Sequence, residues 1–179
     1  MIALPSRPDL DLSSLVRTIP DFPKPGIQFR DITTLIGDAA GFAESVRRLS
    51  ALAAVHRPDL IVAVEARGFL FGAAMATAMG LGLVPVRKAG KLPGVTIGVD
   101  YELELELHEG AVLPGYRVVL VDDLLATGGT ILAAADLMRH VGAEVAAALF
   151  VIDLPDLGGS ARLSAAGLHC ETLIAFEGD

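Results

Sequence analysis

Two acids, Asp122 and Asp123, follow an unbroken apolar run, Val118-Val119-Leu120-Val121, and lead into Leu124-Leu125-Ala126-Thr127-Gly128-Gly129-Thr130. Adjacent carboxylates can accept hydrogen bonds from a sugar diol. The Thr127-Gly128-Gly129-Thr130 turn can wrap a phosphate in backbone N–H groups, because glycine lets the main chain approach closely and take unusual dihedrals. A helix beginning near Ile131 would point its unsatisfied N–H groups and positive dipole end at the same anion. Acids for a ribose beside a cradle for its 5′-phosphate describe a ribose-5-phosphate site. Each piece also has a plainer use, since paired acids cap helices or sit in solvated turns and Gly-Gly is often only a turn. The order strand, acids, turn, helix is what favours phosphate binding.

A substrate with several phosphates must meet a local basic cluster, and the chain as a whole carries a formal charge of −8 with 14 basic residues. Arg67 and the close group Arg87, Lys88 and Lys91 are the candidates for that cluster. The acidic balance argues against a nucleic-acid partner, which would require a basic face.

The elements that must position these groups are legible from periodicity. Residues 9–17 suggest a short leading helix. The prolines at 20, 23 and 25 exclude helix and imply a pinned, extended loop before Ile27-Gln28-Phe29-Arg30. Apolar residues at helical spacing (Phe42, Val46, Leu49, Leu52, Ala53) predict a helix over 38–56. Strands are expected at 60–64, 83–86, 117–121 and 145–152, and helices at 69–79 and 131–141. This alternation implies a parallel sheet with right-handed crossovers, in which ligands bind at the carboxyl ends of strands. Glu65-Ala66-Arg67-Gly68, Arg87-Lys88 and Asp122-Asp123 all fall at such ends. Between 92 and 107 the pattern changes to strict alternation, Tyr101-Glu102-Leu103-Glu104-Leu105-Glu106-Leu107, which predicts an antiparallel arm. Such an arm could close as a lid that excludes water, or be a solvated hairpin with Glu102, Glu104 and Glu106 facing water.

Bulk composition bounds the rest. The 179 residues are read as one domain, 1–179, and 53% hydrophobic content against 20% charged excludes disorder. No apolar run reaches membrane-spanning length, so no membrane partner is expected. A single cysteine, Cys170, excludes an internal disulfide and a cysteine metal cluster. With no signal-peptide pattern at the N-terminus, the expected location is the cytoplasm. Neither a Walker loop nor Gly-x-Gly-x-x-Gly occurs in a suitable context.

Asp122-Asp123-Leu124-Leu125-Ala126-Thr127-Gly128-Gly129-Thr130 resembles the phosphoribosyl-pyrophosphate (PRPP) signature of the type I phosphoribosyltransferases, in the spelling of their adenine-using branch. Three further blocks are similar to that branch: residues 20–33, from Pro20-Asp21-Phe22-Pro23 to Thr33; Glu65-Ala66-Arg67-Gly68-Phe69; and residues 86–94. Asp153-Leu154-Pro155-Asp156-Leu157-Gly158-Gly159 is another, so the resemblance spans almost the whole chain. It implies an α/β fold with a central, mostly parallel twisted sheet flanked by helices. It also implies an antiparallel flexible arm at about 88–108 and a small base-binding hood from about 20–34 and 153–160.

The implied reaction displaces pyrophosphate from C1′ of PRPP by adenine, giving AMP, with Mg²⁺ bound mainly through the substrate phosphates and no dedicated protein cage. By the same resemblance Asp122 and Asp123 hold the ribose hydroxyls. Ala126, Thr127, Gly128, Gly129 and Thr130 hold the 5′-phosphate, and Arg67, Arg87, Lys88 and Lys91 meet the pyrophosphate. Arg67 thus doubles as a catalytic group. Phe29 stacks on adenine, Leu157 covers its other face, and the backbone near Gln28 reads the exocyclic amine. Ordinary core packing is the alternative for Phe29 and Leu157. Arg30 either supports the base site or pairs with Asp31. Glu104 corresponds to the family's proton-handling carboxylate, although the arm departs from the usual Tyr-x-Leu-Glu-Tyr-Gly pattern and is shorter. The family is commonly a homodimer. Two other readings stay open to a chain with this signature: use of a 6-oxopurine in place of adenine, and a PRPP-sensing module without turnover.

Overall fold

Alternating apolar runs and helical stripes fold into a layered α/β structure, described for residues 7–99 and 104–178 in a computed structural model. The N-terminal segment forms a single 3-10 turn, Ser13–Leu15, in place of the expected longer helix, and passes into β1 (Arg17–Pro20). Strand β1 pairs antiparallel with β2 (Gln28–Asp31), with Ile19 opposite Phe29 and Pro20 opposite Gln28. The proline-rich loop between them is therefore the bend of a hairpin. A short α1 (Thr33–Gly37) follows, begun where the Asp31 carboxylate accepts the Thr33 N–H at 3.0 Å and its hydroxyl at 2.6 Å.

Helix α2 (Ala39–Val55) starts where the Asp38 side chain accepts the Gly41 N–H at 2.7 Å, a conventional N-cap. Then come β3 (Leu60–Val64), α3 (Gly68–Met79) and β4 (Gly82–Lys88). The arm contributes β5 (Thr96–Val99) and β6 (Leu105–His108); its Tyr101, Glu102 and Leu103 lie outside the described residues. Strand β7 (Arg117–Leu125), α4 (Gly129–His140), β8 (Glu144–Asp153), α5 (Gly159–Ala165) and β9 (Cys170–Ala175) complete the chain.

Seven strands form one sheet in the order β5-β6-β4-β3-β7-β8-β9. The five from β4 to β9 are parallel, and β6 and β5 add antiparallel at one edge. Successive side chains of a strand point to opposite faces. Ile61, Val119 and Val121 enter a core with α2 and α3, whereas Val62, Val64, Val118 and Leu120 enter a second core with α4 and α5. Both faces are covered, which is why these strands are apolar throughout. Phe71 and Met75 of α3 are fully buried in the first core, each contributing roughly 1.5–3 kcal/mol of apolar transfer.

The arm's base differs from a solvated hairpin. Leu105 and Leu107 enter the second core, and Glu106, on the opposite face, is only 7% exposed. Alternation is preserved, but both faces are covered because the 90–96 segment folds over the polar one. Glu106 accepts the N–H groups of Lys91 at 3.1 Å and Leu92 at 2.9 Å and faces the Thr96 hydroxyl at 3.1 Å. Glu104 does remain exposed.

Two buried carboxylates bind the N-terminal segment to the body. Glu44 accepts from Arg47 and Arg48 and from the Arg7 N–H, and Arg48 also donates to the Pro8 and Leu10 carbonyls. Hydrogen bonds from Arg47, with those of Arg48 and Arg7 behind them, hold Glu44 at about 2. Asp31 is also held at about 2, first by the Thr33 hydroxyl and then by Arg17. Carboxylates depressed in the folded state stabilise it above their unfolded values, and that stability is lost as pH falls through the folded ones. Urea midpoints should therefore drop between about pH 4 and pH 2. Glu44→Gln should flatten part of that drop and cost roughly 1–3 kcal/mol at neutral pH. An identical pH profile in the variant would remove Glu44 from this role.

Candidate active site

Strand β7 runs past its apolar stretch, so that Asp122 and Asp123 are its penultimate turn of residues before Leu124 and Leu125 close the strand. They emerge at the carboxyl end of the sheet, beside Glu65 at the end of β3 and Arg87 and Lys88 at the end of β4. Asp123 is 6% exposed and its carboxylate is ion-paired with the Arg67 Nε. The Asp123 N–H donates to Asp122 Oδ1 at 2.8 Å. Burial, and then the charge of Asp123, push the Asp122 carboxyl well above the usual carboxylate range. Two like charges are thus held together at a sheet end, with one arginine compensating them.

Downstream, residues 124–131 wrap a pocket of about 80 Å³, lined by Asp122, Thr127, Gly128, Gly129 and Thr130 among others. Helix α4 begins at Gly129, two residues earlier than periodicity suggests, with Gly128 at φ 78° as its N-cap and no side-chain cap. Its first N–H groups are left for an anion. No acid lies in its first turn, while Arg139 and His140 lie in its last, a charge order that suits the helix dipole.

A neighbouring pocket of about 370 Å³ is lined by Glu65, Ala66, Arg67, Lys88, Asp122, Asp123, Leu124 and Thr130. The two pockets share Asp122, Leu124 and Thr130, so the cradle at the start of α4, the acid pair and a cationic rim are continuous. Arg67 and Lys88 belong to that rim. Arg87 and Lys91 line neither pocket: Arg87 Nε donates to Glu65 Oε2 at 2.9 Å and its Nη1 to the Lys91 carbonyl at 3.2 Å. Glu65 Oε1 also accepts the Lys88 N–H at 3.1 Å. One acid therefore fastens the end of β4, and Glu106 fastens the segment beyond it. Hydrogen bonds, led by the Leu92 N–H, lower the Glu106 carboxyl. Periodicity alone left Glu65 and Glu106 without these roles; the placing of Glu106 directly opposite Arg87 across β4 and β6 is a tertiary fact.

The base-site candidates form a separate group that lines neither pocket. Phe29 meets Phe22 edge-to-face at 5.2 Å, and Leu157 is 43% exposed on the short 3-10 turn Pro155–Leu157, so neither is plain core. Arg30 does not pair with Asp31, which is taken by Arg17. Instead its guanidinium lies 4.6 Å over the Phe176 ring and donates to the Thr18 hydroxyl at 2.8 Å and the Glu177 carbonyl at 3.4 Å. The Phe176 N–H donates to the Asp153 carbonyl and the Gly178 N–H to Asp156 Oδ2. Residues 176–178 thus link the β1–β2 hairpin, with Gln28 and Phe29, to the turn that carries Leu157.

That turn is also joined to the anion cradle. The Leu154 N–H donates to the Leu125 carbonyl at 3.0 Å. A methyl group at Gly159 would lie 2.2 Å from the Ala126 carbonyl oxygen, so only glycine lets α5 pack this closely behind the loop. Sequence periodicity did not indicate α5 or β9, although Cys170-Glu171-Thr172-Leu173-Ile174 has the composition of a strand.

Comparisons with known proteins agree with this geometry. A model of the phosphoribosyl transferase domain matches residues 32–162. A protein of Sphingopyxis alaskensis named adenine phosphoribosyltransferase is 89% identical, with the whole of each chain covered. That alignment runs over 184 positions against 179 residues here, so some positions of the relative have no counterpart in this chain. The crystal structure of adenine phosphoribosyltransferase from Thermoanaerobacter pseudethanolicus superposes with a TM-score of 0.87 at 49% identity, covering 92% of this chain and 98% of that one. The enzyme from Giardia lamblia, crystallised with 9-deazaadenine, superposes with a TM-score of 0.85 at 31% identity, covering 93% and 96%.

A carboxyl whose folded-state pKa is raised contributes stability below its unfolded value, about 4, and loses it as pH rises. Asp122→Asn, which can still accept the Asp123 N–H, should therefore raise Tm at neutral pH by about 2 °C or more. The gain should shrink as pH is lowered toward 4. A lower Tm at pH 7 would contradict the burial of charge at this position.

Proposed function

The chain belongs to the phosphoribosyl transferase family, in its adenine phosphoribosyltransferase branch, and on that premise we infer a reaction centred on the paired pockets at the end of β7. It transfers the 5-phosphoribosyl group of PRPP to adenine, giving AMP and diphosphate. The observation that carries this reading is the continuity of the 80 Å³ cradle with the cation-rimmed pocket through Asp122 and Thr130.

In this reading Ala126, Thr127, Gly128, Gly129 and Thr130 hold the 5′-phosphate through backbone N–H groups and hydroxyls. Asp122 and Asp123 accept the ribose hydroxyls, and their negative field favours the positive charge that develops on the sugar as pyrophosphate leaves. Arg67 and Lys88 receive the pyrophosphate. Arg87 and Lys91 complete the basic patch, with Glu65 and Glu106 fixing the backbone that carries them. Arg67 exchanges its Asp123 partner for phosphate oxygens when substrate enters. Carboxyl groups at the pocket wall are hard oxygen donors suited to Mg²⁺, and Asp122 and Asp123 would face a Mg²⁺ ion carried in on the substrate. When bound, that ion neutralises charge on the leaving group.

Adenine stacks on Phe29 with Leu157 over its other face. The main chain near Gln28 reads its edge with one donor and one acceptor, and Arg30 braces the hairpin. Support for this comes from the exposed Leu157 and from the link through residues 176–178. Glu104 handles the adenine proton, supported by its exposure and by its carbonyl accepting the Ala89 N–H, which ties it to the basic segment. The enzyme works as a homodimer. Helix α3 carries no charged residue, yet exposes Leu70, Ala73 and Thr77, a face suited to a second copy. A lone cysteine suits a cytoplasmic setting.

The direct test is nucleotide formation from PRPP, Mg²⁺ and each purine base separately. Adenine should give AMP at a rate at least about a hundredfold above hypoxanthine, because a site built to read an amine leaves its groups unpaired against a 6-oxo base. Turnover of hypoxanthine but not adenine would defeat the base assignment, and tight PRPP binding without turnover would favour a sensor. In the same assay Glu104→Gln should lower kcat by about 10²-fold or more with little change in PRPP affinity. An unaltered kcat would remove Glu104 from the mechanism.

A further inference from the structure

At the end of the sheet opposite the pockets, three side chains from two segments converge. His56 caps the C-terminus of α2, just before β3 begins; His169 immediately precedes β9; Glu171 is the second residue of β9. Both imidazoles present Nε2 to the same carboxylate oxygen, Glu171 Oε1, at 2.9 Å from His56 and 3.3 Å from His169. The two rings are 5.5 Å apart between centroids. One potential ligand atom from each residue lies within 4.8 Å of the others.

We propose that His56, His169 and Glu171 form a site for a divalent transition-metal ion of the zinc class. Zinc takes imidazole nitrogen and carboxylate oxygen at about 2.0–2.1 Å, which sets ligand atoms of a tetrahedral ion about 3.4 Å apart. The two His–Glu separations already lie close to that value, and a small closure of the two rings brings the third edge into range. His56 and Glu171 are partly buried, with side chains 15% and 29% exposed, whereas His169 is 59% exposed. The fourth position is therefore open to water. The donor set excludes the neighbouring thiol: Cys170 lies between His169 and Glu171 in sequence, so it points to the other face of β9, where it packs against the second core.

The metal would join α2 to an edge strand that otherwise has a partner on one side only, β8. It is a stabilising staple, remote from catalysis: the acid pair and the cradle are at the carboxyl end of the sheet, these three at its amino end. The His56 carbonyl accepts from the Arg117 guanidinium, which fixes the turn that presents the His56 ring.

The test uses the full-length protein, stripped of metal with a chelator and without PRPP. Equilibrium dialysis against Zn²⁺ should show a site of micromolar or tighter affinity, and Zn²⁺ should raise Tm. His169→Gln and Glu171→Gln should each weaken that binding at least about tenfold and abolish the Zn²⁺-dependent rise in Tm. The rate of AMP formation should not change. Co²⁺ should give an intense visible absorption that His169→Gln removes. The exposure of His169 makes that variant the one that folds whatever its partners do. Absence of micromolar Zn²⁺ binding, or binding and Co²⁺ absorption unchanged in these variants, would overturn the proposal.

Discussion

Two adjacent carboxylates at the end of a buried parallel strand are the constraint around which the rest is arranged. Strand β7 lies inside the sheet between β3 and β8, so its direction delivers Asp122 and Asp123 out of an apolar interior into a small, partly enclosed space. There they repel one another, and burial opposes their charge. Arg67 compensates from the start of α3, and the positive end of α4 faces the same space. The arrangement is tolerable in the empty protein and better matched to a ligand that offers hydroxyls to the acids and phosphates to the cations. Natural proteins accept local conflict of this kind at sites of function.

Positioning is divided among acids other than the pair at the end of β7. Glu65 holds Arg87 and the Lys88 N–H; Glu106 holds Lys91, Leu92 and Thr96; the Asp153 carboxylate takes the Ser160 hydroxyl, and Asp156 ties in the C-terminal tail. The net charge of −8 therefore coexists with a polyanionic substrate without contradiction. Many of the carboxylates are spent internally, aligning the few cations at the sheet end. Gly159 extends the same logic to packing, because α5 meets the back of the loop after β7 at a distance no side chain would permit.

Local signals explain which parts were readable from sequence. The apolar run before Asp122, the Asp38 cap ahead of a helical stripe, and Leu60 to Val64 are each determined within a few residues, and each element formed close to where periodicity put it. The strand end, turn and helix start over Asp122 to Thr130 were likewise contained in one segment. Glu106 was not readable, because whether a polar strand face meets water depends on which loop covers it. The leading helix failed because residues 9–17 are recruited by tertiary partners, with Arg48 taking the Leu10 carbonyl and Arg17 opening a hairpin. Arg30 looked like a partner for its neighbour Asp31, yet successive strand residues face opposite sides, and its partners Phe176 and Glu177 lie at the far end of the chain.

In the proposed reaction the acid pair at the end of β7 is the ribose end of a PRPP site. Ligand that binds only the folded state raises Tm by mass action, so stabilisation by PRPP and Mg²⁺ reads occupancy without requiring turnover. Wild type should gain several degrees at saturating PRPP. The Asp122→Asn, Asp123→Asn double variant, folded and relieved of its buried like charges, should gain little or nothing at the same concentration. An equal gain in the double variant would mean that PRPP is held elsewhere and that Asp122 and Asp123 are not its ribose end.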